Sequence, residues 1–90
     1  MAILNVQYTI PAGGVGQVTT TRTPARQLVI SNSTAHTCRY GDATTSSTKG
    51  CQLAAGASVV LGNICVADLD LQNFYVAGTA ADKIDFLVII

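Results

Sequence analysis

The stretch Ile3-Leu-Asn-Val-Gln-Tyr-Thr-Ile10 decides the fold. Leu4, Val6, Tyr8 and Ile10 fall on one side of an extended chain, and Asn5, Gln7 and Thr9 on the other. Side chains alternate between the two faces of a strand, so period two over eight residues predicts a half-buried β-strand. Pro11-Ala-Gly-Gly14 then breaks the pattern. Outward from there the signals stay β. Residues 15–22 are rich in Thr, a β-branched residue suited to a more polar edge strand. Thr23-Pro24 marks a turn, because a residue before proline is pushed away from helix.

Further along, Leu28-Val29-Ile30 is a short apolar strand stopped by Ser31-Asn32-Ser33, and residues 37–40 form another that ends at Gly41-Asp42. Residues 42–50 carry no large apolar side chain and are expected as an exposed loop. Ala54-Ala55-Gly56 is a turn, and residues 58–61 are a strand. In residues 64–71, Ile64, Val66, Leu69 and Leu71 alternate with outward Asp68 and Asp70. Residues 74–77 are a strand, 78–82 a turn and 84–90 the last strand. No window sustains a 3.6-residue period. Seven or eight short strands at regular spacing predict an all-β chain. The expected form is a single small antiparallel β-sandwich or barrel of jelly-roll type spanning residues 1–90.

Composition limits the function. Ninety residues make one domain with a modest core. Hydrophobic residues are 49% and charged residues 11%, with no Glu and five charges of each sign. That balance speaks against a strongly basic nucleic-acid binder, and a charge-poor surface opposes association only weakly. The first charge is Arg22, but Asn5, Gln7, Pro11 and three glycines interrupt the uncharged run before it, so neither a membrane span nor a secretory leader is expected.

Chemistry finds little equipment. Cys38, Cys51 and Cys65 include no C-x-x-C pair, so buried free thiols are expected, with one disulfide as the alternative. His36 and Cys38 share a strand face but lack a third ligand, and no metal or other cofactor is expected. Asp68 and Asp70, with Asn63 or Asn73 near, have the makings of a calcium grip, or are simply the outward residues of a half-buried strand. His36 is the only histidine and Gly-x-Ser-x-Gly is absent, so no enzyme is expected. Gly13-Gly14-Val15-Gly16 reads as turn chemistry rather than a phosphate loop.

The final strand has a different implication. Ile84, Phe86, Val88 and Ile90 take one face, while Leu87 and Ile89 follow Asp85 on the other. A strand apolar on both faces needs cover on both, and one core supplies only one. The expected cover is a second copy or a partner subunit. The alternative is a central strand lying under loops of its own chain.

From about Arg26 onward the chain resembles the small all-β virion proteins of tailed bacteriophages, which serve as capsid decoration, cement or head-fibre-base subunits. The matching stretches are Arg26-Gln-Leu-Val-Ile-Ser-Asn32, Arg39-Tyr40-Gly41 entering a polar loop at Thr44-Thr45, and Gly50-Cys-Gln-Leu53-Ala-Ala-Gly56-Ala-Ser58-Val59. Phe74-Tyr-Val-Ala-Gly78 and the closing Gly78-Thr-Ala-Ala-Asp82-Lys-Ile84-Asp-Phe86-Leu87 complete the order. Cys51 and Ala57 stand where such proteins often carry Pro and Glu, and residues 62–68 are extended.

The resemblance implies a structural subunit made in the bacterial host cytoplasm and carried on the capsid surface of the virion. Its partners would be the major capsid protein and itself. A homotrimer is the expected self-assembly, with a dimer or pentamer as alternatives, and neither nucleic acid nor membrane is a partner. The expected interface residues are Ile3, Asn5, Gln7, Arg22, Arg26, Leu87 and Ile89. Tyr40, Asp42, Thr44 and Thr45 are expected on an exposed loop. The alternative function is a tail, fibre or head–tail joining β-module that binds a receptor or carbohydrate, for which Tyr40 is the candidate aromatic.

Overall fold

Alternation along the chain becomes two hydrogen-bonded layers in the computed structural model, which describes residues 2–62 and 69–90. Ten strands occur among the described residues: β1 (Ile3–Thr9), β2 (Val15–Gln17), β3 (Pro24–Ala25), β4 (Gln27–Ser31), β5 (Cys38–Gly41), β6 (Cys51–Leu53), β7 (Ser58–Gly62), β8 (Leu69–Asp70), β9 (Tyr75–Ala77) and β10 (Lys83–Ile89). A 3-10 turn, Leu71–Asn73, follows β8. One four-stranded sheet runs β1-β10-β4-β7 and the other β2-β9-β5-β6. All pairs are antiparallel. The excess over the seven or eight strands expected lies in β3 and β8, two-residue segments that pair only with each other.

Both sheets turn apolar residues onto one core. The first contributes Leu28, Ile30, Ile84, Phe86 and Val88, and the second Cys38, Leu53 and Val76. Ile10 and Leu71 close the core from the loops. Ile84, Phe86 and Val88 are buried while Lys83, Asp85, Leu87 and Ile89 between them keep exposure, so the strand alternates as its sequence does. β10 is central, between β1 and β4, and this places it in the interior of the sheet without covering its outer face.

The second strand is shorter than expected. β2 ends at Gln17, and Val18 turns inward with its N–H donating to the Phe74 carbonyl at 3.0 Å. Beyond it the threonines bond locally. The Thr19 hydroxyl accepts from the Thr21 N–H at 3.2 Å, and the Thr23 hydroxyl donates to the Thr21 carbonyl at 3.0 Å. Such local bonds compete with a sheet ladder.

Two glycines near β2 serve different ends. Gly14 takes a φ of +80° in the turn before β2, which suits glycine. Gly16 lies within β2 instead, facing β1. The Tyr8 hydroxyl occupies the space a side chain at Gly16 would need, so this glycine admits an aromatic from the opposite sheet and is not turn chemistry.

Asn32 ties the layers at the other end. It is buried, and its amide donates to the carbonyls of His36 at 2.8 Å, Leu53 at 3.0 Å and Ala54 at 3.3 Å. Its side-chain oxygen accepts from the Thr34 N–H at 3.1 Å and from the Thr34 hydroxyl at 2.6 Å. The Asn that ends β4 and the Leu53-Ala-Ala-Gly56 turn are therefore two halves of one contact. Among the described residues no helix is long and apolar enough to cross a membrane.

Candidate functional site

Cross-strand register brings five of the seven expected interface residues onto one surface. On the outer side of the first sheet, Ile3 lies opposite Ile89, Asn5 opposite Leu87 and Gln7 opposite Asp85. The rows continue across β4 and β7: Leu87 faces Val29, which faces Val60. Ile3 is 67% exposed and Val60 57% exposed, with Leu87, Ile89 and Val29 half-buried between them. These five side chains form an apolar band across a face that carries Lys83 and Asp85 at one end. The Gln7 amide donates to the Asp85 carboxylate at 3.1 Å along that end.

Val29 and Val60 were not among the expected residues. Each is the middle of an apolar tripeptide, Leu28-Val29-Ile30 and Val59-Val60-Leu61. Three apolar residues in a row put at least one on the outward face, the same signal that marks Leu87 and Ile89. Arg22 and Arg26 do not join the band. They flank β3, where Arg22 is exposed with its guanidinium 3.7 Å from Asp70, and the Arg26 N–H donates to the Ile89 carbonyl at 2.7 Å.

Asp70 belongs to the same end. Its carboxylate accepts from the Thr23 N–H at 2.8 Å and the Gln72 N–H at 3.0 Å, capping the 3-10 turn and fastening β8 to the segment before β3. Hydrogen bonds from the Thr23 N–H first, then the Gln72 N–H, with Arg22 adding less, hold its pKa below the ordinary carboxylate range. A carboxylate so committed to backbone donors is structural. Asp68, Asn63, Ile64, Val66 and Cys65 lie outside the described residues, so the calcium grip and the alternation of residues 64–68 rest on sequence.

The polar loop differs from expectation at two of four positions. Asp42 and Thr44 are exposed, and Asp42 accepts from both the Thr44 hydroxyl and the Thr44 N–H, which lower its pKa in that order. Thr45 is buried instead. Its hydroxyl donates to the Asp42 carbonyl at 2.7 Å, and its side chain fills the space beside Gly41 and Gly50. Tyr40 sits on β5, half-buried and packed against the core, and burial first, with Cys51 adding to it, pushes its phenol pKa up. Its ring lies on a strand and is partly covered, rather than standing on the exposed loop.

The histidine and the thiols separate in the same way. The His36 Nδ1 lies 2.8 Å from the Asp82 carboxylate, and Cys38 is buried in the core. Burial, then the nearby Asp82, pushes the Cys38 thiol up. Cys51 is free and exposed, not buried as expected. Among the described residues no three His, Cys, Asp or Glu side chains come together as metal ligands. No known protein family, curated protein or solved structure matches the chain.

Proposed function

We propose that the chain is a non-enzymatic structural virion protein that binds a phage capsid lattice and itself, and so stabilises or decorates the head. The observation that carries this is the apolar band of Ile3, Val29, Val60, Leu87 and Ile89 on the outer face of the larger sheet. Burying apolar area is the main favourable contribution to most protein association, and a domain of this size has little core of its own to spare. A repeated lattice multiplies a modest contact through avidity.

The strand order supports a jelly-roll reading. With β3 and β8 set aside, the remaining eight strands numbered along the chain run 1-8-3-6 in one sheet and 2-7-4-5 in the other. Jelly rolls of eight strands recur in viral capsid and lectin domains. The resemblance from Arg26 onward points to the capsid member of that pair. Tyr40, the candidate for a displayed sugar-stacking ring, packs against the core instead, so nothing described favours the receptor-binding alternative.

The test is stoichiometry. Purified phage particles are expected to contain this chain at a fixed ratio to the shell protein, and Leu87→Asp with Val60→Asp is expected to lower that ratio at least tenfold while the protein stays folded by circular dichroism. Particles without the chain, or an unchanged ratio in the folded variant, would remove the proposal.

A further inference from the structure

β1 is an unguarded sheet edge. Backbone groups of successive strand residues point alternately to the two sides of the strand within the sheet. The Ala2 N–H donates to the Ile90 carbonyl at 3.3 Å, and the Ile90 N–H donates back to the Ala2 carbonyl at 2.8 Å, so even-numbered residues face β10. The ladder keeps that parity through Leu4 opposite Val88, Val6 opposite Phe86 and Tyr8 opposite Ile84. The N–H and C=O of Ile3, Asn5, Gln7 and Thr9 therefore point away from the sheet, and among the described residues no strand lies beyond β1 to take them.

Folded proteins ordinarily blunt such an edge with charge, proline or a bulge. Ile3–Thr9 has no charged residue and no proline, and its pairing with β10 is unbroken over seven residues. The inner side of β1 is also left incomplete. Leu4 points to the core side yet is 42% exposed, and Val6 and Tyr8 are only half-buried. Their register partners Val88, Phe86 and Ile84 are all fully covered.

We infer that β1 pairs antiparallel with β1 of a second copy about a two-fold axis at Val6, joining two four-stranded sheets into one of eight. The strand is complementary to itself in this register and in few others. Ile3 then meets Thr9 of the second copy and Asn5 meets Gln7, so every outward backbone group on both strands finds a partner. Amide side chains face amide side chains on the outer surface. On the inner surface Leu4 meets Tyr8 of the second copy across Val6 and Val6, which covers the side chains that β1 alone leaves open. A two-fold operation sets any charge on the strand near its own image, and Ile3–Thr9 has none to repel. The unit is a dimer, one of the alternatives to the expected trimer. The inference deepens the self-association within the proposed function and rests on that part alone.

Light scattering is expected to give twice the chain's 9.3 kDa for the unmodified protein. Asn5→Lys with Gln7→Lys places like charges opposite each other twice across the axis, and is expected to raise the dimer dissociation constant at least tenfold. Asn5→Glu with Gln7→Lys places opposite charges there and is expected to restore the dimer. Because Val6 meets itself, Val6→Cys is expected to link two copies through position 6 on mild oxidation, read by peptide mass. That measurement decides the register even if the double-lysine chain fails to fold.

A dimer that survives the double-lysine change but is lost with Leu87→Asp and Val60→Asp would overturn the edge pairing and leave self-association through the outer face standing. Absence of the position-6 link would overturn this register. A chain that stays monomeric at all concentrations would overturn both the edge pairing and the self-association half of the proposed function, leaving capsid binding to its own test.

Discussion

The two sheets share a core but are built differently. The β1-β10-β4-β7 sheet has strands of five and seven residues, while those of the β2-β9-β5-β6 sheet have three or four. The longer sheet supplies Phe86 and four of the other large, fully buried side chains. The shorter one contains Gly16 and Gly41, each leaving room for a neighbour, the Tyr8 hydroxyl and the Thr45 hydroxyl. The contrast teaches a division of labour. One layer carries most of the cohesive surface and has an apolar outside. The other is a lid shaped to fit it, and its loops are stabilised by polar contacts.

Truncating the core of each layer sharpens that contrast most. Phe86→Ala is expected to cost about 4 kcal/mol. Leu53→Ala, in the shorter sheet, is expected to cost less, about 2–3 kcal/mol. Urea midpoints measured at equal slope compare the two, and a larger loss at Leu53 would reverse the assignment of the layers.

Next comes the joint between the layers. Asn32→Ala takes the amide donor from the carbonyls of Leu53 and Ala54, and from that of His36, which keeps the Thr34 hydroxyl; unmet buried groups of this kind cost about 1–3 kcal/mol. The expected signature is early hydrogen exchange at β6 and the 54–56 turn, with β10 still protected. Uniform loss of protection would mean that the two layers do not separate at this joint.

A smaller effect is expected where the layers touch through Tyr8. Gly16→Ala is expected to cost about 1–3 kcal/mol by overpacking. Tyr8→Phe removes the hydroxyl that occupies that space and is expected to recover much of the loss in the double variant. Independent, additive losses in thermal unfolding would show that the hydroxyl is not the obstacle.

The smallest effect lies at β3 and β8, outside both layers. Asp70 is held below the ordinary carboxylate range by the Thr23 and Gln72 N–H groups. A carboxylate with a depressed folded-state value adds stability above its unfolded value and loses it as pH falls through the folded one. Acidification below the ordinary carboxylate range is therefore expected to weaken the chain through Asp70. In Asp70→Asn that part of the acid-side decline is expected to disappear. An identical pH profile for the two proteins would place the acid sensitivity elsewhere.

The longer layer was the more legible in sequence. Strict alternation in residues 3–10 predicts β1 nearly to the residue, because a period of two has one interpretation when one face is wet, while the short apolar run of residues 84–90 predicts β10. The same logic, applied to Leu87 and Ile89, finds the outer band. It missed Val29 and Val60 because a run of three apolar residues gives no phase. In the shorter layer the local signals mislead. The threonines after Gln17 favour strand by propensity, yet their hydroxyls bond nearby backbone instead. Thr45 reads as a solvated loop residue until Gly41, four residues before it, and Gly50, five after it, open a slot for it. Contacts of that kind depend on three-dimensional fit, which composition and spacing do not encode.

The position of β10 also governs the order of events during synthesis. The strand lying between β1 and β4 is the last of the ten to leave the ribosome. Until residues 83–89 emerge, β1 and β4 have no central neighbour, and the larger layer cannot close. Pairing residues about eighty positions apart is also a slow step, since the intervening chain must first be brought together. Nascent chains on one message thus expose β1 and β4 without their shared partner until β10 has emerged. A chaperone or a neighbouring nascent copy has its opening in that interval.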